Sequence, residues 1–145
     1  MRIALSIDHA GGALKDAVAA AIVAAGHSVS DLGMCDDYPD SAVVAGRAVL
    51  AGTADRAIII CGSSAGVAVA ACKLHGIRAA TGHDTYTAAQ CVTHDNCNVL
   101  CLGARVIGPA VATECVTAFC NANFSNEERH VRRLAKIDEI ERNQR

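Results

Sequence analysis

Cys61 is the residue whose type and position in this chain most clearly allow chemistry. It closes the run 56–61, in which three consecutive isoleucines are typical of a strand buried on both faces. A thiol at the carboxyl end of such a strand, beside a helix N-terminus, lies where its thiolate is stabilised. Cys61 is therefore a candidate nucleophile or general base, and the alternative is a small buried side chain at the end of the strand.

The segment after Cys61 is built from small residues: Gly62, Ser63, Ser64, Ala65 and Gly66. Backbone N–H groups of such a loop can point at an anion, and the helix that follows would assist them. The segment lacks the GxxxxGK[ST] pattern, and no GxGxxG follows the first predicted strand, so nucleotide binding has no motif to support it. A plain tight turn is the alternative interpretation.

Two arginines near the chain end have the spacing of a phosphate clamp. Arg129 and Arg133 are four residues apart, so both project from one face of a predicted terminal helix. Arg132 and Lys136 extend that basic face. Two guanidinium groups on adjacent turns can hold a phosphate through bidentate hydrogen bonds. A solvated basic stripe is the alternative, and the helix is also long enough to pack on a partner subunit.

Two of the six histidines have acidic neighbours. His9 follows Asp8 and His94 precedes Asp95, and each pair lies at a predicted edge of the sheet. These two are the histidine candidates for a site. The other four are interpreted as surface or supporting residues: His27, His75, His83 and His130.

Composition excludes several classes of function. The 145 residues carry 13 basic and 15 acidic side chains, a formal net charge of −2, and only 3% of them are aromatic. A general nucleic-acid binder needs a basic field and stacking aromatic rings, so this class is excluded. The longest apolar run, residues 17–25, is far shorter than the ~20 residues that a membrane span needs.

Cysteine usage points to the compartment and argues against a metal. Eight cysteines in a chain without a secretory signal indicate a reducing, cytoplasmic environment. No two of them have the CxxC spacing of a zinc knuckle, so the sequence predicts no metal. The same spacing argument disfavours a thiol redox protein, because Cys61 has no CxxC partner.

Short β-rich runs alternate with longer helical runs along the chain, which predicts one α/β domain over residues 1–145. Strands are predicted at residues 2–7, 27–32, 56–61, 77–81 and 98–102. Helices are predicted at residues 12–25, 66–74, 84–93, 109–121 and 126–143, with one more ending near residue 51 that Asp40 or Ser41 would cap. A parallel sheet covered on both faces binds ligands at the carboxyl ends of its strands. This rule selects residues 8–12, 61–66 and 103–105.

The motifs follow one another in a specific order: Asp8-His9, Asp37-Tyr38-Pro39, Cys61-Gly62-Ser63 with Gly66, residues 70–73 and 76–79, His94, residues 98–100 and 103–105, and Arg129-His130 with Arg133. Together, over essentially the whole chain, they resemble the type B ribose-5-phosphate isomerases, whose family also holds galactose-6-phosphate isomerase subunits. The resemblance implies a Rossmann-like three-layer sandwich with a five-stranded parallel sheet. It implies a homodimer or a dimer of dimers, active sites between subunits, a terminal helix packing on the partner, no cofactor, and aldose–ketose interconversion of a sugar phosphate.

The resemblance also implies a role for each candidate residue. Cys61 would be the base that moves a proton between C2 and C1 through an enediolate, with Ser63 stabilising the oxyanion. His94 would open the furanose ring with Asp8 nearby. Arg129 and Arg133 would hold the phosphate. Further substrate-binding candidates are His9, Tyr38, Gly62, Ser64, Ala65, Gly66, Asp95 and Arg105.

Three departures from the family pattern concern the substrate. Ser64 stands where the family usually has glycine, which would cost about 1 kcal/mol if that position needs a positive φ. The order Asp95-Asn96 replaces Asn-Asp, and the loop between Gly33 and Asp40 is short. Ribose 5-phosphate is the leading substrate. The alternatives are a tetrose phosphate, a hexose phosphate such as allose 6-phosphate, or a non-catalytic sugar-phosphate-binding module.

Overall fold

The computed structural model describes residues 1–143, in which five strands alternate with helices. The strands are β1 (Arg2–Asp8), β2 (Ser28–Cys35), β3 (Arg56–Cys61), β4 (Ala79–Thr81) and β5 (Val99–Gly103). The helices are α1 (Gly12–Ala24), α2 (Tyr38–Leu50), α3 (Ala65–Ala71), α4 (Thr85–Asp95), α5 (Pro109–Asn121) and α6 (Glu128–Arg142). This is the predicted Rossmann-like α/β fold, and the five-stranded parallel sheet is confirmed.

The strand order determines where a ligand can enter. All pairs are parallel and the order is β2-β1-β3-β5-β4, so the chain runs outward in opposite directions from β1 and β3. A crevice opens outside the carboxyl ends of two strands at such a switch point. Ile7 of β1 pairs with Ile60 of β3 at this point, immediately before Asp8 and Cys61.

Alternating side chains of the sheet belong to two separate cores. Ile58 and Ile60 join the core under α1, α4 and α5, whereas Ile59 and Cys61 join the core under α2 and α3. The second core is built largely from alanines, which brings α2 and α3 close to the sheet. Because side chains alternate along a strand, Cys61 faces the α2 and α3 side.

Several element boundaries differ from the predictions. The loop predicted around Tyr38 is the first turn of α2, with Asp37 as N-cap, so neither Asp40 nor Ser41 caps this helix. Proline is well suited to a first helical turn because it lacks the N–H that would be unpaired there, and Pro39 occupies that turn. Ser41 is buried and donates its hydroxyl to the carbonyl oxygen of Ile7, 2.9 Å away.

The terminal helix α6 lies against other elements of its own chain. Its Glu141 carboxylate accepts a hydrogen bond of 2.8 Å from the backbone N–H of Gly76, and Asp138 lies 3.8 Å from the guanidinium of Arg78. Packing of this helix on a partner subunit stays a prediction. In residues 1–143, no helix combines the length and apolarity needed to cross a membrane.

Candidate functional site

The carboxyl ends of β1 and β3 open into a cavity of about 370 Å³. Asp8 and Cys61 are the next positions after the Ile7–Ile60 pair, so they point to the same face of the sheet. Cys61 is 4% exposed, and it lines this cavity. The cavity is lined by Asp8, His9, Ala10, Tyr38, Cys61, Gly62, Ser63, Gly66, Arg105 and Val106.

The Cys61 thiol has a backbone hydrogen-bond donor aimed at it. The N–H of Ser64 lies 3.1 Å from the Cys61 Sγ and donates to it. A backbone N–H directed at the sulfur can stabilise negative charge that develops there. The loop after β3 therefore turns back onto the thiol that precedes it.

Ser64 adopts a left-handed conformation, which settles the condition that the sequence left open at this position. Its φ is 71° and its ψ is −26°, a region that costs an L-residue about 1 kcal/mol. The Ser64 side chain is buried, and its hydroxyl lies 2.9 Å from the hydroxyl of Thr81 on β4. The position thus requires a positive φ, and serine occupies it with a hydrogen-bonded side chain.

Asp8 and His9 are oriented by backbone groups. The Asp8 carboxylate accepts a hydrogen bond of 2.8 Å from the N–H of Ala10, and Asp8 is 4% exposed. The His9 Nδ1 lies 2.9 Å from the carbonyl oxygen of Asp36 and must donate to it, because a carbonyl only accepts. In this tautomer Nε2 is the acceptor nitrogen of the ring, and His9 lines the cavity.

The loops around Cys61 are fastened together by backbone bonds and by close packing at glycines. The N–H of Ala104 donates to the Cys61 carbonyl at 2.8 Å, and the N–H of Arg105 donates to the Gly62 carbonyl at 3.0 Å. A Cβ on Gly66 would lie 2.8 Å from the Tyr38 ring. These contacts leave the loop little room to move.

We expect Gly103→Ala to lower the free energy of unfolding by about 1–3 kcal/mol, which is typical of overpacking. A Cβ at Gly103 would lie 2.8 Å from the backbone carbon of Ser63, so the loop beside Cys61 would have to shift. The matched control is Gly12→Ala at the start of α1, where a Cβ meets nothing within 4 Å. Denaturant unfolding of both variants measures the difference, and equal stabilities would contradict the packing argument.

His83, interpreted from the sequence as a surface or supporting residue, is a supporting residue of the site, although the carboxyl-edge rule was not applied to it. Its Nε2 accepts a hydrogen bond of 3.0 Å from the N–H of Gly103, at the end of β5. Burial lowers the pKa of His83, which keeps the ring neutral and able to accept. The residue follows β4 by two positions, so applying the carboxyl-edge rule to this short strand as well would have found it.

Six of the predicted site residues do not line the Cys61 cavity of the same chain, and His94 and Asp95 are two of them. His94 and Asp95 end α4 and precede β5, and a residue that precedes a parallel strand lies at the amino edge of the sheet. His94 lines a separate cavity of about 240 Å³ beside Tyr86. Asp95 lines a third cavity, of about 450 Å³, next to Arg78. The two neighbours therefore face different spaces.

His130 is buried, so of the two roles that the sequence left open for it, surface or supporting residue, the supporting one applies. Its ring stacks on His94 with the centroids 4.1 Å apart, and its Nδ1 lies 2.6 Å from the Ser125 hydroxyl. Burial first, and the positive charge of a protonated His94 second, lower the pKa of His130. The stack connects the end of α4 to the first turn of α6.

Arg129 and Arg133 are exposed on α6, one turn apart. The Arg129 guanidinium forms an ion pair of 2.8 Å with Glu127, at the N-cap of the helix. Neither arginine lines the Cys61 cavity. Its lining residues do not include Ser64, the last residue of the loop, or Ala65, the first residue of α3.

Comparison with known proteins gives one consistent result. The family model described as Ribose/Galactose Isomerase matches residues 3–137. The chain is 37% identical to "Ribose-5-phosphate isomerase B" of Escherichia coli, over 97% of this chain and 96% of that protein. It is 38% identical to "D-erythrulose-4-phosphate isomerase 2" of Mycolicibacterium smegmatis, over 97% and 95% of the two chains. The solved structure of Clostridium thermocellum Ribose-5-Phosphate Isomerase B superposes with a TM-score of 0.94 at 38% identity, covering 100% of both chains.

No cluster of three or more metal-ligating side chains occurs in the part of the chain that the structure describes. The cavity instead combines a thiol, a carboxylate, an imidazole and a guanidinium: Cys61, Asp8, His9 and Arg105. These groups can remove a proton, donate a proton and bind an anion.

Proposed function

This chain belongs to the ribose/galactose isomerase family and is a sugar-phosphate isomerase, and we propose that it interconverts ribose 5-phosphate and ribulose 5-phosphate with Cys61 as the base. The observation that carries this proposal is the Cys61 thiol at the end of β3. It opens into the cavity, accepts a hydrogen bond from Ser64 N–H and lies beside the Asp8 carboxylate.

The proposed reaction moves one proton between neighbouring carbons. The Cys61 thiolate takes the proton from C2 of the open-chain aldose, and the electrons of that bond form the double bond of a cis-enediolate. The thiol then returns the proton to C1, while the proton of the C2 hydroxyl passes to the oxygen on C1. Ser63, exposed in the cavity wall, is placed to donate its hydroxyl to the enediolate oxygen.

The sugar is held by the remaining groups of the cavity. The polar side chains that line the cavity and bind the sugar in this proposal are those of His9, Tyr38 and Arg105. Two glycines of the wall, Gly62 and Gly66, let the backbone approach the substrate closely. Ser64 and Ala65 belong to the same wall but act through the loop backbone.

Ring opening and phosphate binding are assigned to His94, Arg129 and Arg133, and we place these residues in the cavity of a partner subunit. Inside one chain His94 lines a different cavity, and the two arginines are exposed on α6. A homodimer in which α4 and α6 of one subunit cover the Cys61 cavity of the other supplies all three groups. Two-fold symmetry would then build two equal sites.

A mixed-dimer experiment tests this arrangement. We expect dimers of Cys61→Ala with the double variant Arg129→Ala/Arg133→Ala to regain activity, because one of their two sites receives an intact thiol and intact arginines. At ribose 5-phosphate concentrations far below the raised KM of the arginine variant, random 1:1 assembly yields about a quarter of wild-type turnover, since about half of the dimers are mixed and each has one good site. Co-expression with two different tags isolates the mixed species.

The matched control combines Cys61→Ala with Ser63→Ala, two changes in the same cavity wall. No mixed dimer of this pair contains a site with both groups intact, so its turnover stays at the level of the single variants. Failure of the first pair to exceed this control would place all catalytic groups within one chain.

A tetrose phosphate is the second candidate substrate. A relative covering nearly the same length is named D-erythrulose-4-phosphate isomerase 2, and this chain departs from the family pattern at Asp95 and in the short loop after Gly33. Ketose formation from four-, five- and six-carbon aldose phosphates decides between them, with Cys61→Ala as the blank. A higher kcat/KM for the tetrose would overturn the assignment to ribose 5-phosphate and leave the reaction class intact.

A further inference from the structure

Thr81 connects the edge of the sheet to the loop that carries the donor for Cys61. It ends β4, where it pairs with Cys101 of β5, and it is partly buried. Its hydroxyl lies 2.9 Å from the hydroxyl of Ser64, a residue 17 positions earlier in the chain. This contact joins two elements that share no backbone hydrogen bond at this point.

Ser64 needs such a partner for two reasons. Its φ of 71° lies in a region that is energetically unfavourable for L-residues, so other contacts must stabilise this conformation. Its side chain is also 1% exposed, and a buried hydroxyl without a partner is costly. The Thr81 hydroxyl satisfies the buried group and fixes the strained residue at once.

The contact between the two hydroxyls fixes the direction of the Ser64 backbone N–H. Its N–H points at the Cys61 Sγ from 3.1 Å, and this direction depends on the conformation of the loop from Cys61 to Ser64. If Ser64 relaxed to a negative φ, the loop would change its path and the N–H would turn away from the sulfur.

We propose that Thr81 is a positioning residue for Cys61, acting through the Ser64 side chain to keep the Ser64 N–H directed at the thiol sulfur. The inference rests on the proposed function, in which Cys61 is the base. Other groups at the thiol are untouched by a change at Thr81, because Asp8, His9 and Arg105 come from other elements.

The first test replaces only the hydroxyl. Thr81→Val keeps the β-branched shape and should lower kcat about three- to tenfold, the value of one hydrogen bond, with KM within about twofold of wild type. Thr81→Ser restores the hydroxyl and should restore kcat. Equal losses in both variants, or a change confined to KM, would overturn the positioning role.

The second test uses the special conformation of Ser64. Glycine adopts positive φ freely and carries no hydroxyl, so Ser64→Gly in the Thr81→Val background should recover at least about threefold in kcat. Ser64→Ala in the same background keeps the strained φ and should recover nothing. A double variant with alanine that recovers as well as the one with glycine would refute the role of the backbone conformation.

The third test measures the reactivity of the Cys61 thiol directly and needs no substrate turnover. Alkylation of Cys61 by iodoacetamide, followed by mass spectrometry of its peptide, should slow about three- to tenfold in Thr81→Val. The exposed Cys72 at the other end of α3 is the internal control and should react at the wild-type rate. Unchanged alkylation of Cys61 would overturn the inference.

These readouts separate the inference from the proposed function. If Cys61→Ala keeps its turnover while Thr81→Val slows Cys61 alkylation, the base is wrongly assigned and the positioning contact stands. If Cys61→Ala is inactive while Thr81→Val alkylates normally, the base stands and the positioning contact is wrong.

Discussion

Replacing Cys61 with alanine is expected to lower kcat by at least about 10²-fold, the smallest effect usual for loss of a general base. The proton on C2 would then lose the acceptor that the proposed reaction assigns to it. Steady-state ketose formation measures kcat, and calorimetric titration with ribose 5-phosphate measures binding. Binding should change little, since the thiol anchors no part of the ground state.

The exposed Cys72 offers the matched control, because Cys72→Ala also removes a thiol and lies outside the Cys61 cavity. Its kcat should equal that of wild type. A Cys61→Ala enzyme that keeps more than about a tenth of wild-type turnover would contradict the assignment of the base.

The second large effect is expected from the arginines of α6. Arg129→Ala and Arg133→Ala should each raise KM about tenfold or more, the value of a hydrogen bond to a charged group, with a smaller change in kcat. Guanidinium–phosphate pairs form before the chemistry begins, so substrate capture is the step that suffers. Initial rates over a range of ribose 5-phosphate concentrations separate the two constants.

The two arginines should also behave as one unit. Their i,i+4 spacing places them on one face of α6, so the double variant should cost a different amount from the sum of the singles. Arg142→Ala, which removes the same charge from the far end of α6, is the control and should leave KM unchanged. An unchanged KM in both single variants would make this face a solvated surface.

Local sequence patterns were sufficient for most of the fold. The alternation of apolar runs predicted all five strands, and β3 and α5 have the predicted bounds, because three isoleucines in a row and a proline at a first helical turn are strong local signals. The exact start of α2 at Tyr38 was missed. The polar residues before it are equally compatible with a loop, and only packing on the sheet decides between loop and helix.

The carboxyl-edge rule carried the prediction of the site as far as one chain allows. Two strands end at Asp8 and Cys61, and Arg105 comes shortly after the end of a third. A parallel sheet brings the ends of adjacent strands to one edge. Motif order further related His94, Arg129 and Arg133 to this site. Their separation from the Cys61 cavity within one chain depends on how α4 and α6 pack on the rest of the fold, which no local pattern encodes.

By itself, then, the sequence determined the parallel sheet and the edge that holds the thiol, because both follow from residue types and short spacings, and the class of chemistry came from the resemblance of its motif order to a known family. Only the tertiary structure decided that Ser64 takes a positive φ, directs its N–H at Cys61 and is held by Thr81. The physical reason is that a hydrogen bond between two hydroxyls 17 residues apart leaves no periodic trace in either segment. It exists only once β4 and the loop after β3 have been packed against each other by the sheet.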